Sequence, residues 1–261
     1  MASLNGAEDL AILLAAALLP ALAYLTWVRK SEQHDAEPWG PLLSAFAYGA
    51  LFATFVAGVI EVILVTVGTE LSTAYPAPEF TFLNGNSSLG VFFLVLVIAP
   101  FVEEAFKAAG LIQKAGALRM ISDGPVVGAS VGLGFGFFET LLYGLGAFLS
   151  GGLVAGLGLI FVRSISSVLL HGSTTAMFGY GYAEMRLNGR SGLAGAYYLL
   201  AVVMHSSFNA LASLPAILSY LNVPSALAND ASLLALIAAV VFAFSAIEHV
   251  RSVIARTNLA L

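Results

Sequence analysis

Two adjacent carboxylates and a lysine, Glu103, Glu104 and Lys107, stand inside the apolar stretch VIAPFVEEAFKAAGLI. Downstream, apolar sequence likewise encloses Glu139, His171 and His205, with Asn209 four residues after His205. Carboxylates and imidazoles take protons from water near neutral pH and ligate divalent metals. Two histidines and one or two carboxylates satisfy a tetrahedral Zn²⁺ while leaving one position for water. The expected arrangement is Glu139, His171 and His205 as metal ligands, with Glu103 activating the water. Without a metal, Glu103 acting directly on a water held by the imidazoles reaches the same product. Either supports hydrolysis of an amide. A serine nucleophile does not fit, because Ser173, Ser206 and Ser207 have no Asp at their depth.

These residues sit in a chain that is 59% hydrophobic and 10% charged, with a mean hydropathy of +0.94. Soluble domains carry roughly 25% charge, so a bilayer is the expected solvent. The net charge of −5 is spread thinly, which excludes a nucleic-acid surface, and the absence of cysteine excludes disulfides. Apolar runs near the length of a bilayer crossing cover Leu10–Val28, Pro41–Gly68, Gly90–Ile112, Val126–Leu149, Leu153–Ala183, Gly192–Leu214 and Ser232–Val250. The first carries no cleavage-site pattern and reads as a retained helix. The expectation is an all-α polytopic transmembrane helical bundle forming a single domain over residues 1–261. It has about seven spans, or eight if the long, glycine-rich fifth run begins as a separate broken piece.

Lysines and arginines follow the first, third, fifth and seventh runs, and the loops on the other side have none. The positive-inside rule therefore predicts an N-terminus outside and a C-terminus in the cytoplasm. Counted inward from the cytoplasmic ends, Glu103, Glu104, Glu139, His171 and His205 all lie about 13–16 residues deep, or roughly 20–24 Å at the helical rise. Ionisable residues inside a bilayer are functional by default, and four helices bringing such groups to one depth is not the pattern of scattered polar accidents.

Each residue also has a plainer reading. Lys107 is four residues from Glu103 and can serve as a local ion pair, in which case its loss should matter little. Glu104 points about 100° further round the helix, where it supports rather than performs the chemistry. A single buried histidine is commonly a hydrogen-bonded core residue. Asn209 shares a face with His205 and can orient it. Glu61 has no partner at an arguable depth and reads as structural; Arg163 either balances the negative charge or reaches outward. Gly128, Gly132, Gly136 and Thr140 repeat every fourth residue, a spacing that lets helices approach closely in lipid.

The motifs EEAFK, GFGFFETLLYG, RSISSVLLHGSTTAMFGYGYA and HSSFN stand in order between Pro100 and Leu211. In order and spacing they resemble the PrsW-type intramembrane proteases, which share a superfamily with the CAAX prenyl endopeptidases and bacteriocin-processing enzymes. The resemblance implies a catalytic core over about residues 90–214 in a prokaryotic cell membrane, with a membrane-anchored protein as substrate. It also implies water activation by Glu103, with Glu104 beside it, and places Glu139, His171, His205 and Asn209 in the site. The acidic residue at 139 marks the PrsW branch, since the CAAX branch commonly has histidine there. Two other readings remain open: a non-catalytic scaffold of the same superfamily that binds a partner's transmembrane helix, and a proton- or ion-coupled transporter. The transporter reading calls for paired interrupted helices from an inverted repeat, and the sequence has none.

Overall fold

The computed structural model describes residues 6–258, and these are helical almost throughout, with no strand among the described residues. Helix α1 (Gly6–Arg29) buries a single stripe at three- and four-residue spacing, Leu13, Ala17, Ala21, Leu25 and Val28, and turns its other faces outward. A short link leads to α2 (Trp39–Ala74), which contains a π-helical turn over Tyr48–Ala53. There Thr54 Oγ1 donates to the Gly49 carbonyl at 3.0 Å. Helix α3 (Ser88–Gln113) starts at Ser87, whose Oγ accepts from Gly90 N at 3.0 Å. It passes through a second π-helical turn at Leu94–Ile98, just before the segment that carries Glu103, Glu104 and Lys107. Such turns re-aim side chains and recur at functional sites.

Helix α4 (Asp123–Ser164) is the centre of the bundle, and every residue from 123 to 137 is buried. Its sequence is apolar and small on all sides, as a helix surrounded by others requires. At Gly152 the backbone takes φ 77° and ψ −173°, a region open to glycine alone, and the chain turns back. Gly144 then faces Ile160 and Gly156 across this bend. After a break at Ile165–Ser166, helix α5 (Ser167–Asn188) runs antiparallel to the first part of α4. Their backbones touch: Gly124 meets the Gly179 carbonyl, Gly128 that of Thr175 and Gly132 that of His171. The four-residue glycine repeat is thus the seam on which α5 lies. Helices α6 (Leu193–Ala212) and α7 (Leu214–Tyr220) meet at a 61° bend, and α8 (Ser225–Asn258) closes the bundle against α5, α6 and α7.

Among the described residues, five helices are long and apolar enough to cross a membrane, or six if α6 and α7 form one span. The expected seven is met only approximately. The difference lies in Asp123–Asn188, which counts as one continuous apolar stretch of 66 residues. About 100 Å of helix cannot be one crossing of a hydrocarbon core about 30 Å thick, and the stretch does fold back at Gly152. The broken start expected for the fifth run is therefore present, as the returning arm of α4 followed by the break at Ile165–Ser166. A chain of this build is an integral membrane protein.

Candidate active site

The ionisable residues singled out from the sequence converge from four helices. Glu103, Glu104 and Lys107 come from α3, Glu139 and Arg163 from the two arms of α4, His171 from α5 and His205 from α6. The imidazole rings of His171 and His205 stand 4.9 Å apart and perpendicular.

Lys107 is fully buried and makes three polar approaches: 2.7 Å to Glu104 Oε1, 2.9 Å to His171 Nδ1 and 3.7 Å to Glu103 Oε2. Its ammonium also lies 4.5 Å above the Phe135 ring. The nearer carboxylate is Glu104, three residues away, rather than the Glu103 expected from four-residue spacing. Lys107 therefore ties three helices together instead of balancing charge locally. Glu104 Oε1 accepts in addition from Thr174 Oγ1 at 3.0 Å and pairs with His205 Nδ1 at 2.9 Å.

An ammonium can only donate, so His171 Nδ1 accepts from Lys107 and its hydrogen is assigned to Nε2. That nitrogen lies 2.8 Å from Glu139 Oε2. By the same logic His205 carries its hydrogen on Nδ1 toward Glu104 and leaves the Nε2 lone pair free. Each imidazole is thus held by a carboxylate on one nitrogen and presents the other toward Glu103 Oε2, at 3.9 Å from His171 Nδ1 and 3.8 Å from His205 Nε2. Glu103 Oε2 is buried and has no hydrogen-bond partner.

Glu103, His171 and His205 form the one group of histidines and carboxylates among the described residues that could hold a metal ion, each offering one ligand atom within 4.8 Å of the others'. Here the structure departs from the ligand set expected from sequence. Glu103 takes the place assigned to Glu139, because Glu139 is drawn to the far nitrogen of His171 and to Arg163, whose guanidinium lies 2.6 Å away. Carboxylates behind ligating histidines are the usual orienting groups of metal sites. Two imidazoles and a carboxylate suit a divalent metal ion, provided that Lys107 gives up its bond to His171 Nδ1.

A cleft of about 450 Å³ reaches this centre, with Glu61, Glu103, Glu139, Arg163, His171 and Asn209 on its walls. Asn209 does not meet His205. Its Nδ2 donates to the Val95 carbonyl at 2.9 Å, clamping the π-helical turn of α3 at the edge of the cleft. Glu61, read as structural from sequence, lines the cleft with a buried Oε1 that has no partner; the long α2 run offered no boundary from which to count its depth. Thr174 was missed, though its three-residue spacing from His171 puts both on one face of α5. Arg163 resolves as the partner of Glu139 and of Ser167 Oγ, at 2.9 Å, and stacks on the Tyr143 ring at 4.1 Å.

No curated protein and no solved structure matches this chain. A family match does, over residues 37–246, to the PrsW family intramembrane metalloprotease, and its span takes in α2 through most of α8 with every residue of the centre. A buried glutamate facing two carboxylate-held histidines is compatible with that match, and the chain belongs to the PrsW family of intramembrane metalloproteases.

Proposed function

We propose that this protein hydrolyses a peptide bond of a membrane-anchored protein substrate inside the bilayer, with Glu103, His171 and His205 as the reacting centre. The observation that carries the reading is the buried, unpartnered Glu103 Oε2 facing one nitrogen of each imidazole. Glu103 takes a proton from the attacking water, whose oxygen bonds to the scissile carbonyl carbon. As the carbon–nitrogen bond breaks, the same proton passes to the leaving amine. Glu104 and Glu139 fix the two rings through His205 Nδ1 and His171 Nε2, and Lys107 offsets the negative charge. Helices α4 and α5, sealed backbone to backbone, keep bulk water from the site on that side.

His171 Nδ1, His205 Nε2 and Glu103 Oε2 would hold the metal, most plausibly Zn²⁺ given a nitrogen-rich, oxygen-completed donor set. Bound there, it supplies Lewis-acid polarisation of water and carbonyl. A second reading, with Glu103 as the sole base, is favoured by Lys107, whose ammonium already approaches His171 Nδ1 at 2.9 Å. The Lys/Arg asymmetry supports an N-terminus outside, and the family resemblance implies a prokaryotic cell membrane. The direct test is cleavage of a membrane-anchored reporter by purified protein in vesicles. Equal product from wild type and Glu103→Ala would remove the enzyme reading.

A further inference from the structure

A second cleft, of about 510 Å³, adjoins the first and shares Tyr143, Arg163, Ser167, Phe208 and Ala212 with it. Beyond those residues its walls are apolar except for Ser166 and Ser232. Leu159 and Val162 come from the returning arm of α4, Leu211 and Pro215 from the α6–α7 bend, and Leu233 and Leu236 from α8. Leu233 and Leu236 are 60% and 41% exposed, so this cleft opens sideways through the bundle wall rather than toward either aqueous face. Both breaks in helical structure, at Ile165–Ser166 and at Ser213, flank it. Irregular backbone at membrane depth is tolerated only where it lines a cavity or is buried in protein.

The size of the cleft limits its occupant. From a helix diameter of about 10–12 Å and a pitch of about 5.4 Å, it holds roughly one turn's worth of chain and not a whole span. Its inner end is polar: Ser166, Ser167 and Arg163 stand there, and Arg163 Nε is buried with no hydrogen-bond partner. A lipid acyl chain would leave that donor unsatisfied. An unwound peptide brings free carbonyls, which in hydrocarbon need a donor.

We propose that the lateral cleft between α8, the α6–α7 bend and the returning arm of α4 admits a locally unwound turn of the substrate's transmembrane segment. Arg163 Nε–H binds a substrate backbone carbonyl where the two clefts meet. This rests on the proteolytic reading for its consequence but not for its binding test. The guanidinium has one face on Tyr143 and Nη2 on Glu139 and Ser167, so its Nε–H and its two Nη1 hydrogens are left over in a plane those contacts fix. A substrate carbonyl held there lies in the cavity that Glu103 lines.

The test uses the full chain in phosphatidylcholine vesicles with a single-span Leu/Ala peptide carrying lysine flanks, a central glycine pair and one diazirine leucine. Crosslinks are mapped by mass spectrometry, with a diazirine-bearing phosphatidylcholine as the lipid control. The expected result is peptide labelling concentrated on Leu211, Pro215, Leu233 and Leu236. Leu236→Trp or Leu233→Trp should reduce it at least tenfold without lowering the melting temperature. Val62→Trp, on the exposed face of α2, should change nothing. Glu103→Gln should keep the crosslinks whether or not the protein cleaves, which separates failure of this proposal from failure of the enzyme reading. Labelling spread evenly round the bundle, or lipid labelling of the cleft that the peptide does not displace, would overturn it. So would tryptophan variants that crosslink like wild type.

Discussion

Glu103 Oε2 and His205 Nε2 face each other at 3.8 Å, and no donor bonds the carboxylate oxygen. One residue on, Glu104 Oε1 has Lys107, Thr174 and His205 Nδ1 within 3.0 Å. Adjacent positions on one helix thus carry opposite tasks. Glu104 is saturated and holds the site together, while Glu103 is left short of partners and open to a proton or a cation.

Glu103→Gln should therefore abolish cleavage while leaving the fold intact. Glutamine keeps the shape but cannot accept water's proton, removing a contribution of about 10²–10⁴-fold. Because it also removes a buried charge that no hydrogen bond satisfies, the melting temperature of metal-free protein in detergent should hold or rise. A melt many degrees below wild type would show the carboxylate to be structural.

Lys107→Met should be severe, contrary to what four-residue spacing alone suggests. The side chain is fully buried and bridges Glu104, Glu103 and His171. Removing one partner of such a pair leaves uncompensated charge, at a cost of about 3–5 kcal/mol. The melt should drop by many degrees and cleavage should vanish. Adding Glu104→Gln should restore part of the stability, a coupling read directly from the double-mutant cycle. Additive losses would mean that the two residues do not act as a pair.

What the sequence could reveal follows from what stays local along a helix. The apolar runs, the common depth of Glu103, Glu139, His171 and His205, and the glycine seam all depend on rise and periodicity within single helices. The exchange of Glu103 for Glu139 beside the imidazoles depends on how α3 and α4 are rotated about their axes, which boundaries known to a few residues do not fix. The Arg163–Glu139 pair exists because the chain reverses at Gly152 and brings residues 24 apart face to face. The sequence marks that reversal only as the gap between the runs ending at Leu149 and starting at Leu153, and nothing in it says which residues the two arms bring together.

Metal content separates the two chemistries offered for the centre. Protein purified without metal-affinity columns should carry near-stoichiometric zinc by elemental analysis. His205→Ala should lose it, and 1,10-phenanthroline should lower both cleavage and the melting temperature, since an ion bound to the folded state stabilises it. Metal-free protein with full activity would leave Glu103 as the sole base.

Stability should also depend on pH through the link between α1 and α2. Burial, reinforced by Asp123 and Glu37, pushes the Glu32 carboxyl up to about 7, against the pull of Arg29 and the Glu37 backbone N–H. Burial and Asp123 raise Glu37 as well. A carboxyl whose folded pKa lies above its unfolded value of about 4.3 binds more protons in the native state. Its contribution is fully present below about pH 4 and is lost as pH rises through about 7, on the order of 3 kcal/mol for Glu32. Melting temperature should fall between pH 5 and 8, and Glu32→Gln should flatten the decline and raise the melt at pH 8. An unchanged slope in that variant would place the titration elsewhere.

The last prediction concerns the seam that positions His171. A methyl group added at Gly132 would overlap the His171 carbonyl oxygen and come within 2.8 Å of Thr175 Oγ1. Backbone atoms cannot step aside as a flexible side chain can, so Gly132→Ala must push α5 away from α4. Overpacking of this kind costs about 1–3 kcal/mol. Here it also has a chemical effect, because His171 is held to Glu139 at 2.8 Å from the helix that would move. Gly146, further along α4, provides the contrast, since nothing lies within 4 Å of its added methyl. There alanine gains helix propensity of up to about 1 kcal/mol and should be neutral or stabilising. Gly132→Ala should melt several degrees lower and cleave at least tenfold more slowly, while Gly146→Ala matches wild type in rate. If both variants behaved alike, close approach of α4 and α5 would not be what sets the histidine in place.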